Sequence, residues 1–178
     1  MKNILKLLIL IFRNSPLFSL YGLRKVRWGL YRAYFNSPEL YVDEKVVIST
    51  AHANKNAFFK CTGEVNIGAD TYIDYSGGVG LGDKIAISEG VKIFTHNHGI
   101  HDGFKNWKRN PIKYSKLTIE NYAWIGAGAI ILPSVEVVAE GSIVAAGAIL
   151  TKSTEPYGVY AGNPAKKITT RRIHEEED

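Results

Sequence analysis

The feature that most constrains this chain is a spacing of six. Ile119, Ile125, Ile131 and Val137 are aliphatic residues six apart, and the fourth residue after each of the first three is small or β-branched: Ala123, Ala129 and Val135. A helix repeats every 3.6 residues and a strand every 2, so a period of six is neither an amphipathic helix nor one plain strand. It suits short strands joined by regular corners, each turning one aliphatic side chain inward. That is the pattern of a β-solenoid, whose turns stack and bury a continuous core. After Val137 the better register is Val138, Val144, Leu150, which needs one inserted residue near Val137–Val138. The other phase, Val137, Ile143, Ile149, is also aliphatic.

The same spacing runs upstream through Ile67 and Ile73, then Leu81, Ile87 and Ile93, with Ile85 and Val91 at the β-branched places. Strand-like texture begins near Leu40. Gly63, Gly68, Gly82 and Gly90 suit corners that need unusual backbone angles. Between Thr95 and Ser115 the repeat stops, and it returns at Leu117. The interruption holds His96, Asn97, His98, His101, Asp102, Trp107, Lys108, Arg109 and Pro111. A loop projecting from a rigid scaffold is where binding and catalysis concentrate.

Residues 1–36 differ from the rest. The run Ile4 to Phe12 is mostly apolar but too short to cross a membrane, and no clear cleavage site follows it. A helix in two parts is expected, broken near Ser15–Pro16, because proline does not fit a helix interior. Two roles fit this segment: covering the open end of the solenoid, or resting its basic, aromatic face on an anionic membrane. Residues 37–173 form the solenoid and its C-terminal extension, in which Ala165 to Ile173 read as a short strand or helix. Residues 174–178 are an acidic tail.

The formal net charge of +5 lies largely outside the repeats. No nucleic-acid-binding motif accompanies it, so no nucleic-acid partner is expected. A single cysteine, Cys61, excludes an internal disulfide framework and cysteine-based zinc sites, and fits a reducing compartment. The run His96-X-His98-X-X-His101-Asp102 could suggest metal, but no second cluster completes a zinc geometry, so no metal is expected.

Three blocks resemble the hexapeptide-repeat acyltransferases: Trp124-Ile125-Gly126-Ala127-Gly128-Ala129, the pair Thr151-Lys152, and Ala161-Gly162-Asn163-Pro164-Ala165-Lys166. The resemblance covers about 67–172 and is closest to the sugar O-acetyltransferases, of the galactoside, maltose, xenobiotic and surface-polysaccharide types. It implies a mainly β fold, a left-handed parallel β-helix, with an N-terminal helical segment and a loop projecting around 95–116. It also implies a homotrimer with active sites between subunits and acetyl-CoA lying along the solenoid.

Residue by residue, the resemblance makes His98, seventeen positions after Leu81, the general base. His96 is the runner-up, since two residues along an extended segment it projects to the same side, and His101 is a further rival. The Ala127 backbone N–H matches the oxyanion donor. Asp74 matches an acceptor-binding position that often holds Asn; it could meet a sugar hydroxyl, help orient His98, or cap local amides. Trp124, Ala127, Ala146, Thr151, Lys152 and Lys166 match coenzyme-binding positions. Tyr75, Trp107 and Tyr114 could stack on a sugar.

The function expected is acetyl-CoA-dependent O-acetylation of a sugar hydroxyl in surface polysaccharide synthesis. The enzyme would be cytoplasmic, with peripheral contact at the inner membrane. Alternatives are N-acetylation of a nucleotide-linked amino sugar, serine O-acetylation without that group's helical domain, and a non-enzymatic solenoid scaffold.

Overall fold

The computed structural model describes residues 2–14, 20, 22–99 and 103–173. The Ser15–Pro16 break, His101, Asp102 and the acidic tail lie outside them. Two helices open the chain, α1 (Lys2–Phe12) and α2 (Arg24–Phe35). The rest is a coil of short parallel strands with three faces. The first face stacks β1 (Leu40–Val42), β4 (Val65–Ile67), β7 (Ile85–Ile87), β12 (Trp124–Ile125), β15 (Ile143–Val144) and β17 (Gly158–Gly162). The second stacks β2 (Val47–Ser49), β5 (Tyr72–Asp74), β8 (Lys92–Ile93), β13 (Ile130–Ile131) and β16 (Ile149–Leu150). The third stacks β3 (Phe59–Cys61), β6 (Val79–Leu81), β11 (Leu117–Ile119) and β14 (Val137–Val138).

The six-residue spacing becomes three interior columns. Val42, Ile67, Ile87, Ile125 and Val144 face one another down the first face. Ile48, Ile73, Ile93, Ile131 and Leu150 do so down the second. Cys61, Leu81, Ile119 and Val138 fill the third. Val138, Val144 and Leu150 are buried while Val137, Ile143 and Ile149 are not, so the inserted residue falls where the phase slip requires.

The corners sort the glycines differently from the sequence expectation. At the corner between first and second faces, Lys45, Asp70, Gly90, Gly128 and Gly147 all take positive φ, between 57° and 68°. Of the four glycines expected to supply unusual angles, only Gly90 does so. Gly68 is needed for space instead: a Cβ there would sit 2.6 Å from the Glu89 amide of the next turn. Gly63 and Gly82 are crowded likewise by Asp83 and Asn121.

A solenoid's first turn leaves carbonyls without a neighbouring strand, and α2 supplies their donors. Arg27 Nε donates to the Val42 carbonyl at 2.9 Å, Arg32 Nε to Leu40 at 3.0 Å, and Tyr31 Oη to Val46 at 2.8 Å. Arg27 and Tyr31 are buried, and Tyr31 belongs to the same core as the columns. Burial pushes the Tyr31 phenol up to about 12, against the smaller opposing pull of Arg13 and Arg27, so it stays a donor. At the other end, β17 turns at Asn163-Pro164 into the antiparallel β18 (Ala165–Thr170), a strand in place of the strand-or-helix alternative. Helix α1 packs on α2 and exposes Ile4, Leu7, Leu10 and Ile11. No described helix is long and apolar enough to cross a membrane.

Tyr31→Phe removes the donor from a buried carbonyl and should cost about 1–2 kcal/mol of unfolding free energy in urea titration. A loss below about 0.3 kcal/mol would remove this capping role from Tyr31.

Candidate active site

The site forms where the third turn leaves the second face. There β9 (His96–His98) runs out as a projecting hairpin, paired antiparallel with β10 (Ile112–Tyr114), before the chain rejoins the third face. The polar loop is thus partly a strand pair, and its register sets His98 against Ile112 and His96 against Tyr114. A short 3-10 turn, Trp107–Arg109, lies at the tip side.

Beneath it sits Asp74, the last residue of β5, with no exposed surface. Its Oδ1 accepts from the Ala51 amide (3.1 Å), the Ser76 amide (3.0 Å) and Ser76 Oγ (2.5 Å). Its Oδ2 accepts from the Thr95 amide (3.1 Å) and His96 Nδ1 (2.6 Å). Burial alone would raise this carboxyl, but the Ser76 and His96 side chains and the Ala51 and Ser76 amides outweigh it. Together they hold it down at about 2. An ionised carboxylate only accepts, so His96 carries a proton on Nδ1, which leaves Nε2 as the nitrogen where its neutral form offers a lone pair.

Of the roles open to Asp74 from the sequence, the capping of local amides is the one these bonds display. Both oxygens are spent inside the protein, and the histidine it orients is His96, not His98.

The residue that sequence reasoning missed is His52. It lies in the insertion 50–57, held by Ser76, whose Oγ accepts from the Ala51 and His52 amides at 2.9 and 3.1 Å. Tyr114 Oη adds a 3.1 Å bond to the Ala53 carbonyl, tying this insertion to the hairpin. The His52 ring centroid stands 4.7 Å from that of His96 and 5.3 Å from that of His98. His96 and His98 are 5.8 Å apart, on one side of β9 as their spacing implies. The available signal was the gap of thirteen between Ile48 and Cys61, where six was due. Buried His98 Nδ1 has no hydrogen-bond partner among the described residues. Trp107 stands edge-on at 6.2 Å from His98, while Tyr75 is half-buried and packs on Phe35 and Phe59.

The coenzyme candidates form a separate group. Trp124, Ala127 and Ala146 lie along the edge between first and second faces. The Trp124 ring is half exposed, with Nε1 donating to Ser88 Oγ at 3.0 Å. The Ala127 carbonyl accepts from the Gly147 amide at 2.8 Å, while its own N–H has no partner among the described residues. Beside it, a Cβ built on Gly128 or Gly147 would touch nothing, so this edge is open. Thr151 and Lys152 follow the last strand of the second face, and Lys166 is exposed on the terminal hairpin. Trp124, Ala127 and Ala146 lie on a different edge from the histidines of the same chain, which leave between the second and third faces. A groove of about 530 Å³ on the third face, between Phe58 and Asn121, is lined by no histidine.

No family model matches the chain. A probable macrolide acetyltransferase from Lysinibacillus sphaericus is 36% identical over 51% of this chain and 62% of its own. The galactoside O-acetyltransferase of Escherichia coli is 31% identical over 62% of this chain and 56% of its own. The chain thus spans less than two thirds of either relative. Among solved structures, a hexapeptide-repeat-containing acetyltransferase from Vibrio cholerae superposes with a TM-score of 0.68 at 20% identity, over 97% of this chain and 89% of that one. AntD, an N-acyltransferase from Bacillus cereus solved with dTDP and 3-hydroxybutyryl-CoA, gives 0.61 at 23% identity, over 75% and 70%. The fold is therefore the left-handed parallel β-helix of the hexapeptide-repeat acetyltransferases, and the chain's curated homologues are acetyltransferases.

Asp74 titrates below the ordinary carboxylate range, so its contribution to stability is present above about pH 4 and lost as pH falls towards 2. Asp74→Asn should cost about 2 kcal/mol at pH 7. The gap between wild type and variant should close on titration from pH 4 to 2. A gap independent of pH would mean that the charge of Asp74 does not matter.

Proposed function

We propose that the chain transfers an acetyl group from acetyl-CoA to a hydroxyl of a sugar or glycan, with His98 as general base. The observation that carries this reading is the histidine hairpin standing on an ionised, buried Asp74, on a scaffold whose relatives are acetyltransferases. His98 takes the acceptor's proton as the hydroxyl oxygen attacks the thioester carbonyl. The tetrahedral oxyanion needs a preorganised donor, and the unpartnered Ala127 N–H is of that kind. Collapse breaks the carbon–sulfur bond, and protonated His98 returns its proton to the departing thiolate. His96, fixed by Asp74, is the second candidate for the base.

The open Gly128–Gly147 edge beside Trp124 suits a thin pantetheine arm, and Lys152 and Lys166 suit its phosphates. The base and this edge lie on different corners of one coil, so a neighbouring copy must bring them together. A cyclic trimer of the kind implied by the resemblance does this.

An acetylated surface glycan assembled at a membrane fits the exposed Ile4, Leu7 and Ile11 of α1, beside Lys2 and Lys6. The chain would then act on the cytoplasmic side. The likeness to AntD supports a second reading, transfer to the amine of a nucleotide-linked sugar. An ester product is cleaved by mild base and an amide is not.

Acetyl-CoA at 100-fold excess over its dissociation constant should stabilise the folded chain by roughly 2.7 kcal/mol in thermal unfolding. No shift at saturating coenzyme would contradict the reading. Against a panel of glycosides, His98→Ala should lower thiol release at least about 100-fold while preserving the thermal shift. If His96→Ala alone shows that loss, the base is His96.

A further inference from the structure

Three imidazoles from two separate segments converge beside the hairpin. One ring nitrogen from each of His52, His96 and His98 lies within 4.8 Å of the other two, and all three rings are half-buried. We propose that these histidines form a binding site for a divalent transition-metal ion of the zinc class, and that filling it silences the histidine base.

Four observations converge on this site. The donor set is three imidazoles, the ligand type that suits zinc, copper and nickel. Tetrahedral zinc with bonds of about 2.0–2.1 Å needs ligand atoms about 3.3 Å apart. The three ring nitrogens lie within 4.8 Å of one another, so holding the ion requires them to draw together by up to about 1.5 Å. Asp74 holds His96 Nδ1 at 2.6 Å, which is the carboxylate–histidine arrangement that fixes a ligand's tautomer and strengthens its basicity. Buried His98 Nδ1 has no hydrogen-bond partner among the described residues, so none of them competes for that nitrogen. The backbone already fixes the two segments: Ser76 holds the His52 amide, and Tyr114 ties the insertion to the hairpin. Three protein ligands leave a fourth position open, as in sites that keep an exchangeable water.

No metal-dependent family appears among the relatives, and acetyl transfer to a hydroxyl needs no metal. A bound ion would take the lone pair of His98, the proposed base, and that of His96, the second candidate. Metal therefore opposes the reaction: the site is inhibitory, and His52 is the ligand that belongs to it alone. The binding half of the proposal stands on the three rings. The inhibition half rests on the acetyl-transfer reading.

The test uses the full, untagged chain stripped by chelator. Zn²⁺ is titrated in competition with a chromophoric chelator, and Co²⁺ serves as a spectroscopic probe of tetrahedral coordination. The expected result is one ion per chain with a tetrahedral Co²⁺ spectrum. Affinity should fall at least about tenfold in His52→Ala and in His52→Gln, which keeps the bulk of the side chain. Zn²⁺ at a concentration that just saturates wild type should abolish its thiol release, while His52→Gln should keep most of its own metal-free activity at that concentration. Absent stoichiometric binding, or binding equally tight in both His52 variants, would overturn the site and leave the rings as an edge-to-face aromatic cluster. Metal binding at the site without any acetyl transfer would instead overturn the functional reading and leave the site standing.

Discussion

Everything in this molecule follows from the requirement that each turn hydrogen-bond to the next. Parallel strands of two or three residues have almost no stability alone, so order exists only where turns stack in register. Stacking fixes one interior aliphatic per face and leaves no room for a side chain where backbones approach, as at Gly68 against Glu89. It also leaves two open ends. Helix α2 closes the first with Arg27, Tyr31 and Arg32, and the β17–β18 hairpin closes the last.

Against that regular frame the two insertions stand out, because each must be held by something other than the ladder. A single carboxylate does much of this. Asp74 receives donors from the insertion at Ala51, from the corner at Ser76, and from Thr95 and His96 where the hairpin departs. Its burial is tolerable only because those donors replace water. The same bonds that anchor the loops thus decide which nitrogen of His96 is free. Structure and chemistry meet in one residue.

The columns were legible in the sequence, since few folds besides a solenoid place an aliphatic residue at every sixth position. Even the slip at Val137–Val138 could be read from the small residues that follow. The glycine roles were less legible, because crowding and positive φ both select glycine and only coordinates separate them. At the site, the His96–His98 pair and its side of the strand followed from spacing. Asp74 was singled out correctly as a position but not in its partner, since which loop folds over a buried corner is a tertiary fact. His52 left almost no trace: it comes from an insertion with no period, and long-range proximity does not show in a single chain's pattern.

The central claim is that the base on one chain meets the coenzyme edge of another. The most direct measurement mixes two inactive variants, His98→Ala and Ala146→Trp, the second blocking the open edge beside Ala127. If sites form between copies of a trimer, random mixing pairs an intact hairpin with an intact edge at about one site in four. Acetyl-CoA-dependent thiol release should then recover to about a quarter of wild type. A mixture as inactive as its components would mean that both halves of the site belong to one chain, contradicting the account.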